Sequence, residues 1–379
     1  MKRIGILTYH NAINYGAVFQ AFALQQYLLN MGYDAYIIDY KNISVEQQYR
    51  LKPLWISKDM VRNIKWNIEK SVYLPAKKKN FRMWQRKFRL LTVTDKDSLR
   101  EIANNLDKVI VGSDQVWKLK AHDYDATYFL DFADEDKRIS YAASFGASKL
   151  DDYEKQFISK YLNRIPCISV REESGVELVE ELTGRKAEHV LDPVLLMDKE
   201  FWISNMSEKK MRCPSKDYIF VYQLGTGDYL PKFAQKIADE MDLKIIYVSD
   251  DLLTMLNYGF GAENKSSVDP SGFLYLLYNA KLVCTNSFHA TALSLILHKD
   301  FYTIIKGNEN DLWNTRMYSL LKSFDLEARL VHVGDIYKQF YPCEFDRVSE
   351  RLAEYRRVSK LFLKKSIVGD EYASYDTWR

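Results

Sequence analysis

Residues 281–298, KLVCTNSFHATALSLILH, constrain the fold more than any other stretch of the chain. A strand read from Leu282, Val283 and Cys284 stops at the polar turn Thr285-Asn286-Ser287. The helix that follows is apolar almost all the way round, through Ala290, Ala292, Leu293, Leu295, Ile296 and Leu297. Such a helix must be covered on every side, so the segment belongs inside a layered α/β fold. Asn286 or Ser287 is the natural N-cap, and His289 falls in the first helical turn, just past the carboxyl end of a strand. Ligands of open α/β sheets bind there, and free helix N–H groups favour an anion. A capped core helix with a structural histidine fits the same text.

At 379 residues the length suggests two domains. No apolar run approaches the ~18 residues that would span a bilayer. MKRIGILTYH is read as the start of a strand–loop–helix unit and not as a signal peptide. Cys167, Cys213, Cys284 and Cys343 are far apart and lack C-x-x-C spacing. Free thiols in a reducing cytoplasm are expected, with no metal site. The net charge of +3 does not by itself decide for or against nucleic acid.

Along the chain, RIGILTY, the loop HNAINYG, the helix AVFQAFALQQYLLNMG and the strand DAYIIDY make a βαβ unit without G-x-G-x-x-G. Residues 58–89 then hold eleven Lys or Arg against Asp59 and Glu69, interleaved with Trp66, Tyr73, Phe81, Trp84 and Phe88. Two readings stand for this segment. One is a solvated basic helical insertion; the other is a face that approaches anionic lipid, or a lipid-linked or acidic glycan, as a peripheral membrane contact. No recognition motif accompanies the charge, so no nucleic-acid partner is expected. Afterwards LDKVIVGSDQVW, KRISYAASFG, ISVREESG and AEHVLDPVLLM read as four strands ending in polar or small residues, the way a crevice along one sheet edge is built. The expected division is a first Rossmann-like domain over 1–192 with the basic insertion near 50–95, a joint over 193–216, a second domain over 217–345, and a helical segment over 346–379 that packs back towards the first.

The residues available for chemistry cluster at these strand ends. Arg171 could grip a carboxylate or phosphate with its planar fork, or pair with Glu172 or Glu173. Asn14-Tyr15-Gly16 offers backbone N–H groups to an anion, or is a tight structural turn. Asp114 of GSDQVW is a possible base or a helix cap. His10 and Asn11 border the crevice in supporting or plain loop roles. Asp123-Tyr124-Asp125 spells the short motif D-x-D, which some glycosyltransferases use to hold a metal, but it lies at no evident strand end.

Taken in order, HNAINYGAVFQAFALQQYL, VIVGSDQVW, ISYAASFG, ISVREESG, VLDPVLLM and NAKLVCTNSFHATALSLIL resemble the polysaccharide pyruvyl transferase family. The resemblance implies two Rossmann-like domains facing a cleft, like the B-type glycosyltransferases. It also implies phosphoenolpyruvate as co-substrate with no further cofactor, and a sugar, oligosaccharide or lipid-linked glycan as acceptor. Arg171 then corresponds to the arginine that grips the donor, and His289 to the histidine at the second-domain helix start, as acid or phosphate ligand. Many members carry an arginine where this chain has Ser287 and a glycine where it has Ala290, so Lys306 or Arg316 would have to stand in for the missing cation. A nucleotide-sugar glycosyltransferase of the same architecture, or a non-catalytic glycan-binding relative, remains an alternative.

Overall fold

The structure is a computed structural model that describes residues 1–47, 60–207, 217–249, 258, 261–306, 314–335 and 342–369. Cys213 and Pro214 of the expected joint, the start of the basic stretch at 58–59, the side chains of Trp66 and Tyr73, and residues 370–379 lie outside this description.

Two parallel sheets with covering helices build the molecule. The first has seven strands in the order β3-β2-β1-β4-β5-β6-β7. These are β1 (Arg3–Leu7), β2 (Asp34–Asp39), β3 (Leu90–Thr92), β4 (Lys108–Val111), β5 (Arg138–Ala143), β6 (Cys167–Val170) and β7 (Glu188–His189). The second runs β10-β9-β8-β11-β12-β13. It comprises β8 (Tyr218–Gln223), β9 (Lys244–Ser249), β10 (Glu263–Asn264), β11 (Leu282–Thr285), β12 (Phe301–Ile305) and β13 (Leu330–His332). The central strands are continuous apolar runs because helices cover both faces, which is why they show no alternation. In each sheet the strand order reverses once, between β1 and β4 and between β8 and β11. Those two points are where a doubly wound sheet opens a crevice at its carboxyl edge.

The first helix, Tyr15–Asn30, is buried along most of its length and is capped by Asn14, whose Oδ1 accepts from Ala17 N at 3.1 Å. Tyr15 reaches across to the second sheet domain: its ring stacks on Phe273 at 4.3 Å and its hydroxyl donates to Val268 O at 2.7 Å. The basic segment forms the helix Met60–Gln85. Its described part is not solvated all round. Phe81 and Trp84, three apart on one helical face, and Phe88 in the turn that follows the helix are buried against Tyr15, Phe19 and Phe22. Asn80 donates to Ser267 O at 2.7 Å, so this helix is also tied to the second half. The last helix, Phe345–Val368, returns to the first domain, where Lys2 Nζ donates to Ile367 O at 2.8 Å. It also braces the connecting segment: Leu191 N donates to Ser359 Oγ at 3.0 Å, and Arg356 donates to Leu195 O at 2.7 Å and to Met197 O.

Candidate active site

Both reversal points open onto one cleft of about 1050 Å³. From the first sheet come Tyr9 after β1, Asn14 at the helix start, and Asp114 after β4; from the second come Leu224 and Gly225 after β8, and Asn286, Ser287 and His289 after β11. Lys306 and Arg316 line the same cleft. Of the residues singled out from the sequence, Asp114, Asn14, Asn286, Ser287, His289, Lys306 and Arg316 are thus brought together.

His289 sits in the first turn of the fully buried helix Phe288–Ile296, whose cap is Ser287 (Oγ accepting from Ala290 N at 3.5 Å). Asn286 fixes the turn, accepting from Leu224 N and donating to Leu224 O, both at 2.8 Å. Gly16, in the first turn of the opposite helix, explains how close the two halves come. A Cβ placed there would lie 2.1 Å from His289 Nδ1. Only glycine admits the imidazole at this distance.

The other ring nitrogen faces a residue that the sequence reading passed over as a domain joint. His289 Nε2 lies 3.5 Å from Asp192 Oδ2 and is buried without a hydrogen-bond partner of its own. The same carboxylate oxygen accepts from Arg171 Nη1 at 2.9 Å, and Ser113 Oγ is also 2.9 Å away; Oδ1 accepts from Val194 N at 3.0 Å. Burial alone would raise Asp192, but the His289 imidazole and the Arg171 guanidinium hold its carboxyl well below the ordinary carboxylate range. His289 and Arg171 therefore converge on one carboxylate.

Arg171 is buried and mostly engaged. Nε donates to Glu172 at 2.9 Å, Nη2 lies 3.8 Å from Asp114, and the guanidinium sits 4.6 Å over the Phe288 ring. Burial lowers its proton affinity, yet Glu172, Asp192 and Asp114 carry it above the ordinary arginine value. The ion pair with Glu172 weighed from the sequence is present. The fork expected to grip a donor is reduced to Nη2, which is buried without a hydrogen-bond partner. Asp114, in left-handed backbone (φ 73°), caps no long helix; its side chain accepts from Gln115 N at 2.9 Å.

A cationic wall stands opposite. Arg316, near the start of the helix Thr315–Ser323, has a buried Nε without a hydrogen-bond partner, and burial together with Arg171 lowers it to about 10. Lys118, which the sequence reading missed, lines the same wall; burial and Arg316 lower it to about 8, against the opposing pull of Asp114. Nothing local marks Lys118 in VWKLK, because its significance comes from a residue almost two hundred positions away.

His10 and Asn11 depart from expectation. They line an adjoining cavity of about 400 Å³ that meets the cleft at Ala12 and Val45. His10 Nε2 is 2.8 Å from Asp39 Oδ1, whose other oxygen pairs with Lys41 at 3.0 Å, and Asn11 donates to Glu46 at 3.4 Å. The chain leaving β1 turns there towards the end of β2, away from β4. In the D-x-D stretch, Asp125 is engaged locally, accepting from Tyr40, Asn42 and Thr127 N.

A family model described as polysaccharide pyruvyl transferase matches residues 14–305, which include every strand from β2 to β12. No curated protein matches the chain in sequence. Among solved structures it is similar to a putative UDP-N-acetylglucosamine 2-epimerase from Listeria monocytogenes (9% identity, 98% of this chain and 97% of that one, TM-score 0.54). It is also similar to S. aureus MnaA in a UDP co-structure (11%, 99% and 94%, TM-score 0.51). A third is the UDP-N-acetylglucosamine 2-epimerase of Rickettsia bellii (12%, 99% and 97%, TM-score 0.50). At such identities the likeness bears on the fold: two Rossmann-like α/β domains facing a cleft, the architecture of B-type glycosyltransferases.

Proposed function

Since the chain belongs to the polysaccharide pyruvyl transferase family, and is thus a transferase acting on a sugar or glycan, we propose that it moves the pyruvyl group of phosphoenolpyruvate onto a sugar diol to form a pyruvate ketal. The observation that carries this reading is the convergence of His289 and Arg171 on Asp192 at the meeting point of the two sheets. In the reaction one acceptor hydroxyl bonds to C2 of the enol phosphate while the methylene C3 takes a proton. The second hydroxyl then bonds to C2 as the C–O bond to phosphate breaks. Of the two hydroxyl protons, one balances the proton given to C3 and the other leaves with inorganic phosphate. Positive charge builds at C2, so a positioned acid and fixed polar groups are required, the acid worth ~10²–10⁴-fold.

His289 is that acid. Its Nε2 lies 3.5 Å from Asp192 Oδ2, which orients the ring. Asp114 is the base for the acceptor hydroxyl. Arg171, behind the cleft wall, sets the charge and orientation of Asp192. Asn14, Gly16, Asn286 and Ser287 shape the floor beneath the donor. The adjoining cavity combines the polar edges of His10, Asn11 and Gln85 with the faces of Phe81 and Phe88, which suits a sugar ring of the acceptor. Exposed Lys79, Arg82 and Arg86 border it on the side from which an anionic or lipid-linked glycan would approach. Among the described residues no helix is long and apolar enough to cross a membrane, so such contact would be peripheral. The reading implies a cytoplasmic location, where phosphoenolpyruvate is made.

The test is a thermal-shift comparison of phosphoenolpyruvate with uridine and guanosine diphosphate sugars, followed by phosphate release with a panel of glycans. Phosphoenolpyruvate should raise the melting temperature, and His289→Ala should lower turnover about 100-fold. A shift with sugar nucleotides alone would replace this reading with glycosyl transfer.

A further inference from the structure

Pyruvyl transfer leaves the cationic wall unexplained. Lys118 follows the turn after β4, and Arg316 opens a helix of the other domain, so the fold brings the two cations together from opposite sides of the cleft. Arg316 and Asp114 face Lys118; Arg171, Asp114 and Glu172 face Arg316. Lys120, Lys306, His289, Tyr9 and Tyr229 are the other titratable groups among the described residues lining the cleft. The acids do not neutralise this set, for Glu172 and Asp192 are already in contact with Arg171. Among the described residues Arg316 makes no ion pair, and its Nε is buried with no acceptor.

Burial lowers the proton affinity of both groups, with Arg316 adding to the effect at Lys118 and Arg171 adding to it at Arg316. A bound dianion opposes these effects and gives the buried Nε–H an acceptor. A phosphate monoester supplies two charges and several acceptor oxygens in one group. The position of Ser287 adds a second argument. It caps its helix and contributes no cation, so positive charge in the cleft has to come from elsewhere.

We propose that Lys118 and Arg316 form a phosphate subsite that holds the phosphoryl end of the donor and the inorganic phosphate released from it, while His289 attends the carboxylate end. The inference rests on the pyruvyl-transfer reading for the identity of the donor but not for the site itself, which takes a phosphate dianion of either origin.

The experiment titrates inorganic phosphate into the full chain at neutral pH, followed by calorimetry or phosphorus NMR, and in parallel measures kcat and KM for phosphoenolpyruvate. Wild type should bind phosphate saturably. Lys118→Ala and Arg316→Ala should each weaken it about tenfold, the ratio set by one lost charge-assisted contact. KM should rise by a similar factor with kcat less affected, and Arg316→Lys, which keeps the charge, should recover part of the loss. Melting temperatures identify any variant that fails to fold, and Lys118→Ala, at a partly exposed site, provides the independent arm. Equal affinity in wild type and both alanine variants, or no saturable phosphate binding by wild type, would overturn the subsite. Turnover with unchanged KM in both variants would also overturn it while leaving pyruvyl transfer standing. Lys118-dependent phosphate binding without turnover of phosphoenolpyruvate would reject pyruvyl transfer and keep the subsite.

Discussion

The two sets of charge in the cleft are built on opposite plans. Around Asp192 every group is buried and charge is balanced: Arg171 is matched by Glu172 and Asp192, Ser113 and Val194 N complete the carboxylate's shell, and Arg171 Nη2 and His289 Nε2 are the atoms left without a hydrogen bond. Around Lys118 and Arg316 the cations outnumber the acids and one guanidinium nitrogen is unmatched. A charge-balanced network rigidifies its members and is costly to break. An under-neutralised one stores affinity for something that arrives later. The contrast assigns orientation of His289 to the first region and capture of an anion to the second.

The strongest way to break the comparison is to remove its keystone. Asp192→Ala leaves a buried guanidinium with only Glu172 and the more distant Asp114, and removes the carboxylate beside the imidazole. We expect a loss of about 3–5 kcal/mol in stability, read by chemical denaturation, whereas Lys118→Ala should change stability little. If both substitutions cost the same, the distinction between a balanced and an open region fails.

Next in size is Gly16→Ala. A methyl group 2.1 Å from His289 Nδ1 forces the imidazole or the first helix to move. Turnover should fall at least about tenfold, since a displacement near 1 Å at a reacting group can cost ~10²-fold, with the melting temperature lowered only modestly. A variant with wild-type rates would show that the contact between the halves does not set the histidine's position.

The smallest effect sharpens the second region. Lys118 loses its proton near pH 8, so it is charged below that value and neutral above it. KM for phosphoenolpyruvate should therefore rise as pH increases through about 8. In Lys118→Arg, where the cation persists, the rise should move to higher pH. A profile identical in both proteins would separate the lysine from donor binding.

What could be read before folding was local. The strand–turn–helix of residues 281–298 and the turn Asn14-Tyr15-Gly16 declare themselves within a few positions, and in the structure that turn opens the first helix with Asn14 as its cap. Asp192 could not be recognised as the partner of His289, because the relation runs between sheets and no spacing encodes it. The same holds for Lys118 and Arg316. That His10 and Asn11 line an adjoining cavity and not the main cleft could not be read from the sequence, because a loop's exit direction is set by tertiary packing. The basic segment was partly legible: Phe81, Trp84 and Phe88 carry a helical spacing that forecasts a buried face, but the density of charge obscured it.

The return of the last helix has a mechanical consequence. Ser359 and Arg356 grip the backbone on both sides of Asp192 and Pro193, the place where a hinge between the lobes would have to bend. With Tyr15 and Asn80 tying the lobes at other points, the molecule behaves as a clamped frame. A frame held at these points leaves the rim as the part free to admit substrate, and the expected consequence is a fixed spacing between imidazole and guanidinium.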